Sequence, residues 1–244
     1  MNIDEEFLNN FIFLVFILFA LLLLIAMINK YSSHDEPEEI IHIDKENLRT
    51  GDILAISYSN LAGAFVSSFS NSIWSHTGIV WRDPDTHVIF VLEGAVYPLK
   101  SYKGFIRIPF DIWYSYNKCF ILGLKQYQGD GIDSDQMIKI FEKYEGKVKL
   151  EGLNPSWGRF LMTRDYFKNK NNKTYTCFEF TIRLLHEINV YKKEKLHCSY
   201  FPKHIMNDSI PYNNGHNYSS VKRFFLTPTV NRLLNLEKSH FQKN

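Results

Sequence analysis

Apolar residues run without a break from Phe11 to Ile28. An α-helix needs about 20 such residues to cross the hydrocarbon core of a bilayer, so the run predicts a membrane-spanning helix. Beyond it the apolar positions fall into shorter segments. Asp52–Ser57, Trp74–Trp81, His87–Glu93, Phe105–Phe110, Cys119–Leu124 and Val221–Leu226 are β-prone and predict strands. Leu61–Phe69 predicts a short helix. Asp133-Ser134-Asp135-Gln136 resembles a capping box, and Met137, Phe141 and Tyr144 follow on one side of the helix it opens. Gly146 ends that helix, as glycine commonly does just past a helix C-terminus. A second helix is written in Phe178, Ile182, Leu185 and Ile188, which recur at helical spacing after the N-cap candidates Thr174 and Thr176.

Two of the strands predict a hairpin. Asp83-Pro84-Asp85-Thr86 lies between them, with aspartate and proline where a type I turn prefers them. Four-residue hairpin loops are most often built on that turn. Pairing Arg82 with His87 carries the ladder down to His76 directly opposite Glu93. Opposite residues on one face have Cβ atoms about 4.5–5.5 Å apart. A slip of one residue would turn Glu93 to the other face, so the register decides whether this imidazole and this carboxylate meet.

The run at residues 11–28 has a competing reading as a cleaved signal peptide. Such a peptide wants a basic start, a shorter apolar core and a small-residue cleavage site. Here Asp4, Glu5 and Glu6 precede the run and no A-x-A site follows it, so the sequence predicts a retained single-pass anchor. Lys30 on the C-terminal flank places the main domain in the cytosol by the positive-inside rule. The chain then divides into an anchor over 1–31, a polar, acidic linker over 32–47 broken by Pro37, a folded domain over 48–226 and a tail over 227–244.

Composition narrows the function. Of 244 residues, 45% are hydrophobic and 22% charged, which fits a packed core. The net charge of +2 comes without a basic run interleaved with aromatics, so no nucleic-acid partner is expected. The three cysteines, Cys119, Cys177 and Cys198, are odd in number and irregularly spaced. That argues against a disulfide framework and for reduced thiols on the cytosolic side. His186, His197, Cys198 and His204 match no common zinc spacing, and no CxxC pair exists; no metal and no cofactor are expected. Ser67, Ser68 and Ser70 lack a G-x-S-x-G elbow, which disfavours a serine hydrolase. Richness in Asn, Lys, Ile and Phe matches AT-biased coding, as in some large DNA viruses.

Cys177 is the candidate nucleophile. It falls in the first turn of the second helix, where unpaired N–H groups concentrate partial positive charge. A thiolate is stabilised there, and the thiolate is the nucleophilic form. The competing reading is a small buried hydrophobe, which most free cysteines are. A catalytic cysteine needs a base and a group to orient that base. His76 can be the base and Glu93 the orienting group. Glu179 is read as structural or solvent-facing. Tyr175 is read either as a hydrogen-bond donor near the oxyanion or as a packing residue.

Leu48-Arg49-Thr50-Gly51-Asp52-Ile53-Leu54, Ser75-His76-Thr77-Gly78-Ile79-Val80, Glu93 and Tyr175-Thr176-Cys177-Phe178-Glu179-Phe180 occur in that order. This order resembles the circularly permuted branch of the NlpC/P60 papain-like superfamily, in which the histidine strand precedes the cysteine helix. Bacterial YiiX-type proteins, poxviral relatives and, more distantly, the lecithin retinol acyltransferase group are members. The resemblance spans roughly residues 48 to 190, and its S-H-x-G-[IV] strand is the most specific piece. It implies an α+β, permuted papain-like domain whose antiparallel sheet packs on the cysteine helix. It further implies Cys177 as nucleophile, His76 as general base and Glu93 as the orienting third residue. Phe178 departs from the serine that often follows the cysteine in relatives, which bears on local substrate contacts.

The expectation is a membrane-anchored cysteine hydrolase (peptidase or amidase) or acyltransferase working through an acyl-enzyme. Its substrate would be a peptide or lipid acyl group, and its membrane a cellular or a viral one. The contrasting expectation is a catalytically inactive, membrane-anchored interaction protein that retains the fold.

Overall fold

The structure is a computed structural model that describes residues 5–31, 37, 39–59, 63, 66–67, 70, 72–96, 103–146, 149–150, 174–192 and 202–227. Its first element, α1 (Glu5–Tyr31), is a 27-residue helix. The apolar side chains described along it are exposed, Phe13 by 65% and Phe16 by 68%. Among the described residues, no helix is long and apolar enough to cross a membrane.

The rest is a mixed α+β architecture on a seven-stranded sheet. The strands are β1 (Ile40–Ile43), β2 (Ile53–Ser57), β3 (His76–Arg82), β4 (Ile89–Val96), β5 (Lys103–Pro109), β6 (Ile121–Lys125) and, later in the chain, β9 (Lys222–Leu226). The short strands β7 (Lys149–Leu150) and β8 (Thr174–Tyr175) form a separate parallel pair. In the large sheet the order is β1-β9-β6-β2-β3-β4-β5. β1 runs parallel to β9 and every other neighbouring pair is antiparallel. The helices after α1 are α2 (Phe110–Asn117), α3 (Ser134–Phe141), α4 (Cys177–Glu187) and α5 (Pro202–Met206).

Side-chain alternation divides the sheet into two faces. Ile53, Ala55, Ile79, Trp81 and Leu92 point to one, where α3 contributes Met137 and Phe141 and α4 contributes Phe180, Ile182 and Leu185. Leu54, Ile56, Val80, Val91 and Ile108 point to the other, where α2 contributes Phe110 and Trp113. Three layers result, with α3 and α4 on one side and α2 on the other.

The α3 start follows its sequence signal. Asp133 is the N-cap, and its carboxylate accepts from the backbone N–H groups of Asp135 and Gln136, each at 2.9 Å. Met137, Phe141 and Tyr144 are buried as the pattern requires, and Gly146 takes a left-handed φ of +66° after the helix. The Arg49-Thr50-Gly51-Asp52 stretch is a structural corner. Buried Asp52 accepts from the backbone N–H of Arg49 and of Tyr127, both at 2.8 Å, tying β2 to the exit of β6.

Some expectations need correction. β1 lies inside the stretch read as linker, because it pairs only with β9 at the far end of the chain. That partner is invisible to a local pattern. Phe110 opens α2 and does not end a strand. Of the short helix expected over 61–69, Gly63, Val66 and Ser67 are helical, and its other residues lie outside the described ones. The tail from residue 228 also lies outside them, as do His197 and Cys198.

The hairpin register also differs. The ladder pairs Arg82 with Ile89 and Gly78 with Glu93, a shift of two residues from the register read in sequence. Asp83 closes the hairpin just beyond the ladder: its N–H donates to Val88 O at 2.9 Å, and its O accepts from His87 N at 2.9 Å. Its carboxylate also holds the turn, accepting from the backbone N–H groups of Asp85 and Thr86. His87 closes the loop with φ +58°, a left-handed conformation open to histidine in a turn. A slip of two keeps every side chain on its face, so His76 and Glu93 remain neighbours, diagonally and not directly opposite.

Candidate active site

His76 is the first residue of β3. Ser75 fixes its approach. The Ser75 N–H donates to Ile56 O at 2.9 Å, and its hydroxyl both donates to that carbonyl and accepts from Tyr58 N–H. His76 Nε2–H then donates to Glu93 Oε2 at 2.7 Å. Both side chains are buried, His76 with 6% exposure and Glu93 with none. Trp113 Nε1–H donates to the same carboxylate oxygen at 3.1 Å.

The diagonal pairing depends on Gly78, which stands directly across from Glu93. A Cβ on Gly78 would lie 2.8 Å from Val91 Cγ1, 3.3 Å from Glu93 Cβ and 3.5 Å from Glu93 Oε2. The missing side chain leaves the space through which the carboxylate leans toward His76. The glycine of the Ser-His-Thr-Gly segment therefore has a steric reason.

The cysteine arrives from the other layer. Thr176 is the N-cap of α4: its hydroxyl accepts from Glu179 N–H, and Glu179 Oε2 accepts from Thr176 N–H at 2.8 Å, completing a capping box. Glu179 is thus structural. Cys177 is the first helical residue, and the first N–H groups of a helix have no intrahelical acceptor. One turn on, Thr181 Oγ1–H donates to Cys177 O at 3.1 Å, which leaves Thr77 as the donor to Thr181 Oγ1, also at 3.1 Å. This threonine pair ties the cysteine turn to the residue after His76. The Cys177 side chain adjoins the His76 ring closely enough to raise its affinity for a proton. With Nε2 given to Glu93, Nδ1 is the ring nitrogen left to the sulfur.

Electrostatics matches this geometry. Burial alone would depress the His76 pKa, but the adjoining Cys177 sulfur and Glu93 carboxylate outweigh it and push it up to about 10. Two acidic partners hold the proton on the ring. Tyr58, whose ring centroid is 5.7 Å from that of His76, is shifted the same way. Burial first, then Glu93 and Cys177, raise its phenol well above the ordinary value, so it remains an O–H donor. It donates to Asn117 Oδ1 at 3.2 Å.

Cys177, His76 and Glu93, the three residues singled out from sequence, therefore come together. Tyr175 ends β8, and its side chain lies outside the described residues. Sequence reasoning missed Tyr58 and Trp113. Trp113 sits on a helix the pattern did not reveal, and Tyr58 lies in irregular backbone after β2. Cys119 is exposed and, like Cys177, unbridged. His186 is half-buried on α4. Among the described residues, no group of His, Cys, Asp or Glu side chains has an arrangement that could hold a metal ion.

No protein-family model matches the chain, and no curated protein matches it. Among solved structures it is similar to the crystal structure of the metalloprotein yiiX from Escherichia coli O157:H7. The two share 16% identity over 73% of this chain and 99% of that one, with a TM-score of 0.45. A likeness of that size leaves the chemistry to be argued from this chain's own residues.

Proposed function

We propose that this protein is a membrane-anchored thiol hydrolase or acyltransferase with a permuted papain-like (NlpC/P60) domain. The observation that carries the reading is a buried imidazole hydrogen-bonded to Glu93 and adjoined by the cysteine that opens a helix. In the first half-reaction the Cys177 thiolate, whose proton His76 already holds, attacks a carbonyl carbon. A C–S bond forms and the carbonyl π pair moves to oxygen, beside the Cys177 backbone N–H. Collapse of that intermediate expels an amine or alcohol, which leaves with the proton held on His76. In the second half His76 takes a proton from water or another acceptor, whose oxygen or nitrogen attacks the thioester. The C–S bond breaks and the thiol is regenerated. Glu93 keeps the ring in one tautomer and balances its positive charge.

The acyl donor is a peptide or a lipid, through an amide or an ester bond. Exposed apolar side chains along α1 support attachment to a bilayer, which favours a lipid or membrane-protein substrate. Lys30 supports a cytosolic domain on a single-pass anchor. The deciding experiment incubates the full chain in detergent with panels of acyl peptides and acyl lipids. A thioester on Cys177, absent from Cys177→Ala, is then sought by mass spectrometry. Absence of any adduct, with Cys177 alkylated no faster than a peptide thiol, would leave the protein as a non-catalytic interaction module.

A further inference from the structure

Glu93 reaches His76 through open space above Gly78, and open space permits a conformation without holding it. What holds it comes from α2, on the sheet face away from the cysteine helix. Trp113 is fully buried and directs its indole N–H at Glu93 Oε2, the oxygen that also accepts from His76. Phe110 stacks on that indole with ring centroids 5.7 Å apart. Asn117, one turn further along α2, donates Nδ2–H to Trp113 O at 2.8 Å and accepts from Tyr58 OH. The helix so braces His76 twice, through the carboxylate that orients it and through the aromatic ring beside it.

From this arrangement we infer that Trp113 is a positioning residue for the Cys177–His76–Glu93 site and acts through Glu93. The inference rests on the catalytic reading above. Its physical content is one N–H group. A tryptophan needed only to fill the core would be replaced without consequence for the thiol by a ring of similar shape that lacks the donor. One needed to fix the carboxylate would not.

The test uses the full chain in detergent micelles and iodoacetamide as the probe. The rate of Cys177 alkylation is read across pH by mass spectrometry, with exposed Cys119 as the internal control. The variants are Trp113→Phe, Glu93→Gln and the double variant. In a fourth protein the Trp113 indole is replaced by benzothiophene, which keeps the shape and removes the N–H. The expected result is slower Cys177 alkylation at mildly acidic pH in both Trp113 variants, by about tenfold, the worth of a hydrogen bond to a charged group. Their pH profiles should move in the same direction as that of Glu93→Gln, and Trp113→Phe should add little in the Glu93→Gln background. An unchanged profile with benzothiophene while Glu93→Gln shifts would overturn the inference and leave the role of Glu93 standing. Losses that multiply in the double variant would also overturn it, because Trp113 would then act by another route. A Glu93→Gln profile identical to wild type would remove Glu93 from the reading of the site, and the inference would fall with it.

Discussion

At the scale of single residues, the site depends on a charge pair and on an absent side chain. Gly78→Ala is expected to push Glu93 off His76, since the new Cβ meets both Val91 Cγ1 and Glu93. Overpacking of this kind costs about 1–3 kcal/mol, so thermal unfolding should fall and Cys177 alkylation should slow. Unchanged alkylation would mean that the carboxylate does not need the space. His76 carries a second prediction. Its folded pKa is raised, so the folded protein binds that proton more tightly than the unfolded chain does. The stability so gained is fully present below the ordinary value of 6.5 and is lost as pH rises to about 10. The difference in unfolding free energy between wild type and His76→Gln should shrink over that window. A difference that stays constant from acid to alkaline pH would show that the ring has no such partners.

At the scale of elements, α4 is set by its cap and by its threonine link to β3. Thr176→Ala removes the acceptor for Glu179 N–H and should cost about 1 kcal/mol, read as a lower midpoint in denaturant. It should also slow Cys177 alkylation, because the turn that presents the thiol frays. Cys177→Ala should keep the fold while abolishing any acyl adduct, and should lower the His76 pKa, because the sulfur is the larger of its two acidic partners. The sequence made α4 and its cap legible because both are local: Thr176 stands two residues before Phe178, where the apolar period begins. It made α2 illegible for the same reason. Phe110, Trp113 and Asn117 share a buried face, but the helix is short and continues directly from β5, so its period has little room to register.

At the scale of the whole molecule, the proposed anchor and cytosolic orientation make a prediction about glycosylation. Asn207 and Asn217 begin acceptor sequons and both residues are exposed. A cytosolic domain should carry no glycan when the full chain is made in eukaryotic cells. Mass removed by endoglycosidase, and lost from Asn207→Gln and Asn217→Gln, would put the domain in the lumen. The third sequon, at Asn172, lies outside the described residues.

The sequence by itself determined the long apolar run, the β-prone segments, the two capped helices and the identity of Cys177, His76 and Glu93. These are written in short-range periodicity, in caps and in the alternation of a strand, which a chain carries without knowing its partners. It fixed the face shared by His76 and Glu93 but not their offset, because face depends on odd or even spacing and offset on how the loop closes. Asp83 closed the turn against Val88 and His87 took the left-handed position, and two residues of register followed. Only the tertiary structure decided that β1 pairs with β9, that Gly78 clears the path of Glu93, and that α2 reaches the carboxylate from the far face of the sheet. Each of those depends on residues distant in the chain being brought together by the core, and no local pattern encodes that distance.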